Sequence, residues 1–209
     1  MDLISKNRNV IKLESWVRGL FYTQPVTAHG WLHTTRVQRL SETLAEAEGV
    51  DQFLATCAAL LHDIGRTLPG SDAEHGRRSA DLAAPFLQGL HLTDEERREI
   101  LHAIRWHNSG RDDTKLLCVV RDADMLDALG AIGVMRACIS RAHLPLYNGD
   151  TPFDGECQRE SRWVSDQILY QLSFEKWLNT TTGKKMAKRR IRFMKSFIEQ
   201  SKRELGESS

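Results

Sequence analysis

The sequence predicts an all-α protein, and two observations carry that prediction. Apolar residues recur at intervals of three and four along most of the 209-residue chain, the spacing that gathers one face of a helix. Runs that alternate apolar and polar with a period of two, rich in β-branched residues, are scarce, so strands have no pattern to form on. The length suits one sizeable core, and a single-domain helical bundle over residues 1–209 is expected.

The elements follow in order. A first amphipathic helix is predicted from Ser5 to Phe21, stopping before Pro25, and a second from Trp31 to Glu48. Val37, Leu40, Leu44 and Ala47 form the second helix's inner stripe, His33 lies on it, and Gly49 is the C-terminal stop. Asp51 is a good N-cap for a third helix that is apolar nearly all round, reaches His62 and Asp63 and closes at Gly65. A fourth helix fits Asp72 to Leu87, with His75, Ser79, Leu82 and Phe86 on one side. "TDEE" offers a capping box of Thr93 and Glu96 to a fifth, which aligns Ile100, Ile104 and His107. A sixth, Asp113 to Leu129, aligns Leu117, Val120 and Asp124, after which Gly130 and Gly133 mark a bend or a close helix contact. Residues 143–157 hold two prolines and two glycines and form one long loop, the kind that often serves as a lid. Helices over Gln158–Leu178 and Gly183–Leu205 close the chain, the last with Ile191, Met194, Phe197 and Ile198 inward.

Composition narrows the function classes. Lys plus Arg number 29 against 28 Asp plus Glu, a net charge of +1 that gives no global pull toward nucleic acid or membrane. The basic run from Lys184 to Lys195 has Phe193 as its one aromatic and is expected to be a solvated helix face, so nucleic acid is not an expected partner. Cys57, Cys118, Cys138 and Cys157 show no C-x-x-C spacing and read as reduced, buried thiols. The first residues lack a signal peptide's apolar stretch, and no apolar run is long enough to span a membrane. A cytoplasmic protein is expected.

The sharpest chemical signal is "AALLHDIGR" at residues 58–66, where a buried-looking helix ends on two adjacent ionisable side chains. Each buried polar group needs its own partner, and a divalent cation satisfies an imidazole and a carboxylate together. His33 and Asp124 stand on the inner stripes of two other helices, so the three helices can converge on one ion, as helix bundles commonly arrange.

The order His, His-Asp, Asp, carried by "HTTRV" at 33–37, "LLHDIG" at 60–65 and "DADMLDALGAIG" at 122–133, resembles the HD superfamily of metal-dependent phosphohydrolases. The likeness is strongest to small bacterial HD hydrolases and extends over "AHGWLHTTRV", "AEHGRRSADLAAPFL", "AIRWHN" and "TTGKKMAKRRIRFMKSFI". It implies an HD-type helical bundle with its metal-site core at about 26–130 and the helices at about 158–205 packing on it. Gly30 follows His29 where that subgroup usually has Asp, and "HDIGR" lacks the acidic pair of guanosine-tetraphosphate hydrolases.

The resemblance implies His33, His62, Asp63 and Asp124 as ligands of a divalent ion, with manganese, magnesium, cobalt, nickel and iron all suited to the set. Such an ion generates a nucleophile from water and leaves room for a phosphoryl oxygen. Cations are also needed against the charge that builds on phosphorus and the leaving oxygen. Arg66 and Arg36 are candidates for that task, Asp63 for orienting water, and His75 or His107 for protonating the leaving group or contacting phosphate. His29 is a candidate substrate contact and Asp127 a candidate ligand-orienting group. The expected activity is hydrolysis of a small phosphorylated metabolite, most plausibly a nucleotide, at a phosphomonoester or pyrophosphate bond. Two rivals stand beside it. One is a dinuclear-iron HD oxygenase, with His75 and His107 as terminal ligands of a second ion and Asp63 as the bridge. The other is a non-catalytic metal- or nucleotide-binding sensor. Only twelve residues separate His75 from Asp63, leaving little chain to bring the next helix over the same metal pair, so one ion is expected.

Overall fold

The computed structural model describes residues 3–154 and 161–206, and every regular element among them is helical. In chain order these are α1 (Leu3–Thr23), α2 (Trp31–Glu48), α3 (Gln52–Leu61), α4 (His75–Gln88), α5 (Asp94–Trp106), α6 (Lys115–Asp127), α7 (Gly130–Ser140), α8 (Val164–Leu172) and α9 (Thr181–Glu204). Turns of 3-10 helix occupy Ile64–Thr67, Asp72–Glu74 and Ser173–Trp177. Two compact units, Met1–Asp124 and Met125–Ser209, divide the chain within α6.

The first unit is organised around α3. The Asp51 carboxylate accepts the amides of Phe53 and Leu54 at 2.8 and 3.1 Å, satisfying two of the donors that a helix start leaves open. Phe53 to Leu61 are then buried without a break, because α3 packs against α1, α2, α4 and α5. On α2 the buried stripe is His33, Val37, Ser41, Leu44 and Ala45, and Gly49 ends the helix in the left-handed conformation. Ala47, predicted inward, is exposed and Leu40 is half-buried, since a 3.6-residue repeat turns the stripe toward Ala45. The capping box of α5 forms, with Glu96 N on Thr93 Oγ1 at 3.1 Å and Thr93 N on Glu96 Oε2 at 2.7 Å.

Between α3 and α4 the chain folds back tightly. The predicted fourth helix begins as the turn Asp72–Glu74, capped by Ser71, and becomes α-helical only at His75. Gly65 donates its amide to Ser79 Oγ at 2.8 Å, and a Cβ at Gly65 would collide with the backbone of His75 and Ser79. Gly76 in turn lies against the Ile104 and Arg105 carbonyls of α5. These two close approaches seat the start of α4 on both the end of α3 and the end of α5. Gly65→Ala is therefore expected to cost about 1–3 kcal/mol or more by overpacking and to shift His75. Thermal denaturation followed by circular dichroism checks this, and an unchanged melting temperature would refute the contact's importance.

In the second unit α7 packs against α8 and α9. The sequence reading placed no helix at 130–140, taking its two glycines as a bend or contact. Both features are present, yet inside a helical start. Gly130 has φ +80° and lies under Arg190, which donates to Leu126 O, while a Cβ at Gly133 would overlap the Ala128 carbonyl. Asp127 lies 3.2 Å from Arg136 of α7, a buried ion pair. The α8 helix is shorter than predicted: it starts at Val164 with Asp166 accepting the amides of Arg162 and Trp163 at 3.0 and 3.2 Å, and ends in a 3-10 turn. The irregular chain before it is tied back by Val164 N to Pro145 O and Ser165 N to Leu146 O, both 3.0 Å. Residues 155–160, which include the end of the expected loop, the start of the expected helix and Cys157, lie outside the described residues. The α9 helix begins early because Thr180 caps it, and buries Ala187, Ile191, Met194 and Ile198, with Phe197 half-buried.

Cys57, Cys118 and Cys138 are all free thiols, but only Cys57 is buried, and burial pushes it up to about 12. Cys138 is exposed because it sits on the outward face of α7 beside Met135 and Ile139. No helix among the described residues is long and apolar enough to cross a membrane.

Candidate metal centre

Two helix ends create the site. His62 is the C-cap residue of α3 and His107 that of α5, positions where unpaired carbonyls and the helix dipole favour a cation. Each ring turns its Nδ1 back onto the carbonyl three residues earlier, His62 to Ala59 O and His107 to Ile104 O, both at 2.7 Å. His75 does the same with Asp72 O at 2.6 Å. In all three rings Nδ1–H donates, so in the neutral tautomer the Nε2 lone pair is bare and points inward.

Those lone pairs meet around Asp63. His33 Nε2 lies 3.2 Å from His62 Nε2, 3.5 Å from Asp63 Oδ2 and 3.3 Å from Asp124 Oδ1, with His62 Nε2 3.6 Å from Asp63 Oδ2. Ligand atoms about 2.0–2.2 Å from one ion sit roughly 3.0–3.5 Å apart, and His33, His62 and Asp124 form one triad that could hold an ion, with Asp63 Oδ2 beside its two histidines. His33, His62 and Asp63 are buried, and the Asp124 side chain keeps 29% exposure. Asp124 is thus the one of the four that meets solvent.

The other oxygen of Asp63 faces a second group. His75 Nε2 is 3.1 Å and His107 Nε2 3.7 Å from Asp63 Oδ1, and the two imidazole nitrogens are 3.0 Å apart. The short spacing between Asp63 and His75, which permits this approach without suggesting it, does bring His75 over Asp63: the two 3-10 turns at Ile64–Thr67 and Asp72–Glu74 compact that connection. Because both Nδ1 atoms are committed as donors, the short Nε2–Nε2 approach requires either an extra proton on one ring or a cation between them.

Arg66 completes the cluster. Its Nε lies 2.8 Å from Asp63 Oδ1, one terminal nitrogen pairs with Asp72, and the other is 3.3 Å from His75 Nε2. The Nε–H is not aimed at the carboxylate, so Asp63 Oδ1 and Arg66 Nε are both buried without a hydrogen bond. His29 sends Nδ1 to Asp63 Oδ2 at 2.7 Å from a turn in which Ala28 is left-handed, φ +65°. Arg36 is half-buried on α2, three residues beyond His33.

The electrostatics suit a cation. Burial would raise Asp63, but Arg66, His62 and His29 hold its carboxyl well below the usual range. Burial likewise opposes ionisation of Asp124, and the His33 hydrogen bond and the His33 and His62 charges outweigh it. Burial pushes His62 down to about 3 and His29 down to about 4, against the pull of nearby carboxylates. Ionised carboxylates facing a neutral imidazole at neutral pH are what metal coordination needs.

Residues 30–129 match the family described as HD domain, and that span contains His33, His62, Asp63 and Asp124. This stretch of the chain is similar to the HD domain. YpgQ of Bacillus subtilis, an uncharacterized protein, is 29% identical over 209 residues that cover 93% of this chain and 92% of YpgQ. The crystal structure of YpgQ in complex with ADP matches this protein with a TM-score of 0.76 at 26% identity, over 96% of each chain. An HD-superfamily hydrolase from Bacillus thuringiensis matches with a TM-score of 0.73 at 28% identity, over 97% of this chain and 100% of that one. The symmetrical bis(5'-nucleosyl)-tetraphosphatase of Bacillus subtilis is 31% identical over 108 residues, 45% of this chain and 58% of that protein. The fold is thus that of HD-superfamily hydrolases, with a His/Asp cluster able to hold a metal ion.

Sequence reasoning missed the groups that hold the cluster in place. Asp72 retains Arg66, Asn108 donates to Ala73 O at 2.9 Å, and Ser79 and Arg78 grip Gly65. Asn108 follows His107 directly, so the signal was present in "WHN". Asp127, expected to orient a ligand, pairs with Arg136.

Proposed function

We propose that this protein is a metal-dependent phosphohydrolase that acts on a nucleotide, cleaving a phosphomonoester or pyrophosphate bond. The observation that carries the reading is the division of Asp63. Oδ2 faces the ligand group of His33 and His62, while Oδ1 faces the proton-competent pair His75 and His107.

His33, His62, Asp63 and Asp124 would hold one divalent ion, which when bound supplies activated water and Lewis acidity toward a phosphoryl oxygen. The remaining steps belong to the chain. Arg66 donates to His75 Nε2, which makes His75 the acceptor of the histidine pair and leaves the extra proton on His107 Nε2. That proton is placed for transfer to the leaving oxygen. The guanidinium of Arg66 offers the positive charge that the phosphoryl group requires as bonds break. His29 and Arg36 would contact the substrate from the start of α2.

Nucleotide as the substrate class is supported by the relatives: YpgQ is described in complex with ADP, and the tetraphosphatase is named for a dinucleotide substrate. A dinuclear oxygenase would need a second metal where Arg66 now sits. The test is metal analysis of protein purified without chelator, followed by a nucleotide panel with separate detection of phosphate and pyrophosphate. Turnover that depends on added divalent ion is expected. A fully loaded protein that turns over no phosphate ester or anhydride would leave the sensor reading in its place.

A further inference from the structure

Three atoms would form a second cation seat beside the first: Asp63 Oδ1, His75 Nε2 and His107 Nε2, mutually within 3.7 Å. Two of the three are already engaged by a cation. The Arg66 guanidinium lies 2.8 Å from Asp63 Oδ1 and 3.3 Å from His75 Nε2, with its side chain only 15% exposed. Its remaining arm reaches outward to Asp72, whose side chain is 69% exposed.

We propose that Arg66 is a built-in cation that occupies the second seat, so that the chain loads one divalent ion instead of two, and that Asp72 is the residue that keeps it there. The inference rests on the metal-site reading above and says which of the two loading states the chain adopts. Three features of the geometry support it. First, Arg66 donates to the lone pair that a metal would take from His75, so the two occupants exclude one another. Second, the plug is a loose one. Asp63 Oδ1 stays without a hydrogen bond although Arg66 Nε is within reach, and an unmet buried carboxylate oxygen is a standing demand for a better-placed cation. Third, the anchor lies outside the cluster. Asp72 opens the 3-10 turn that leads into His75, so the segment that positions the histidine also positions the plug. A metal and a guanidinium cannot share the seat, because two positive charges at contact distance in a buried site repel strongly.

Manganese is the probe, with native mass spectrometry for stoichiometry, calorimetry for affinity and electron paramagnetic resonance for coupling between neighbouring ions. Wild type is expected to hold one ion per chain with an uncoupled spectrum. Arg66→Gln is expected to hold two, with a coupled spectrum, and the double variant Arg66→Gln/His75→Ala is expected to return to one. Asp72→Asn, on an exposed side chain that leaves the fold undisturbed, is expected to lower the manganese concentration needed for the second ion by at least about tenfold, one decade being about 1.4 kcal/mol. Two ions in wild type, one ion in Arg66→Gln, or an Asp72→Asn titration identical to wild type would each overturn the proposal. The outcome is separable from the hydrolase reading. One ion in wild type and two in Arg66→Gln with no turnover of any nucleotide would sink the hydrolase and leave this inference standing. No ion in any variant would sink both.

Discussion

His62→Ala and Asp124→Ala are each expected to bind no divalent ion and to show no measurable hydrolysis while the far-ultraviolet circular dichroism stays helical. The two residues sit at the end of α3 and within α6, so only a shared ion makes their losses identical. The expected loss of affinity exceeds the roughly 10–100-fold that follows from removing a group which merely orients a ligand. Asp124→Ala is the cleaner variant. Its side chain is 29% exposed, so the substitution opens no core cavity, whereas His62 is fully buried and its truncation also lowers stability through the lost volume. Elemental analysis of the purified variants decides the matter. Full metal content and full activity in both would mean that the ion, if there is one, lies elsewhere.

The second large effect is expected at the histidine pair. His107→Ala slows turnover by roughly two to four powers of ten, the range for loss of a general acid, while the ion content stays at one per chain. His75→Ala is expected to slow it less, because in the proposed mechanism His107 is the donor of the pair and His75 the acceptor. If both variants turn over within about tenfold of wild type, neither ring is the acid. If either loses the ion entirely, the pair ligates it.

Much of this was legible from residue spacing alone. His33 continues an apolar stripe and is buried with it, Asp124 ends its stripe with 29% of its side chain exposed, and "HD" at the end of the most apolar helix, with the family resemblance, marks the other two candidate ligands. What spacing could not supply was the path of the chain between elements. Residues 64–74 permitted the return of His75 to Asp63 without suggesting it, because spacing does not show the two tight turns that Gly65 locks against His75 and Ser79. Helix α7 was hidden for a related reason. Gly130 and Gly133 are poor helix formers, but here they are required by the close packing of Arg190 and the Ala128 carbonyl. The role of Asp127 also depended on α7, since its partner Arg136 lies on the helix that was not foreseen.

The backward turn of His62, His75 and His107 onto carbonyls three residues earlier has a thermodynamic consequence. In most sites, ligation competes with protons for the same lone pairs, and uptake of the metal expels them into the buffer. In this chain the ring proton is already parked on Nδ1, His62 resists protonation down to about pH 3, and the carboxyls of Asp63 and Asp124 are ionised well below neutrality. Loading at pH 7 is therefore expected to expel no proton from His62, Asp63 or Asp124, which calorimetry in buffers of different ionisation enthalpy would check. At His62 the tautomer, and at Asp63 and Asp124 the charge, were settled by folding itself.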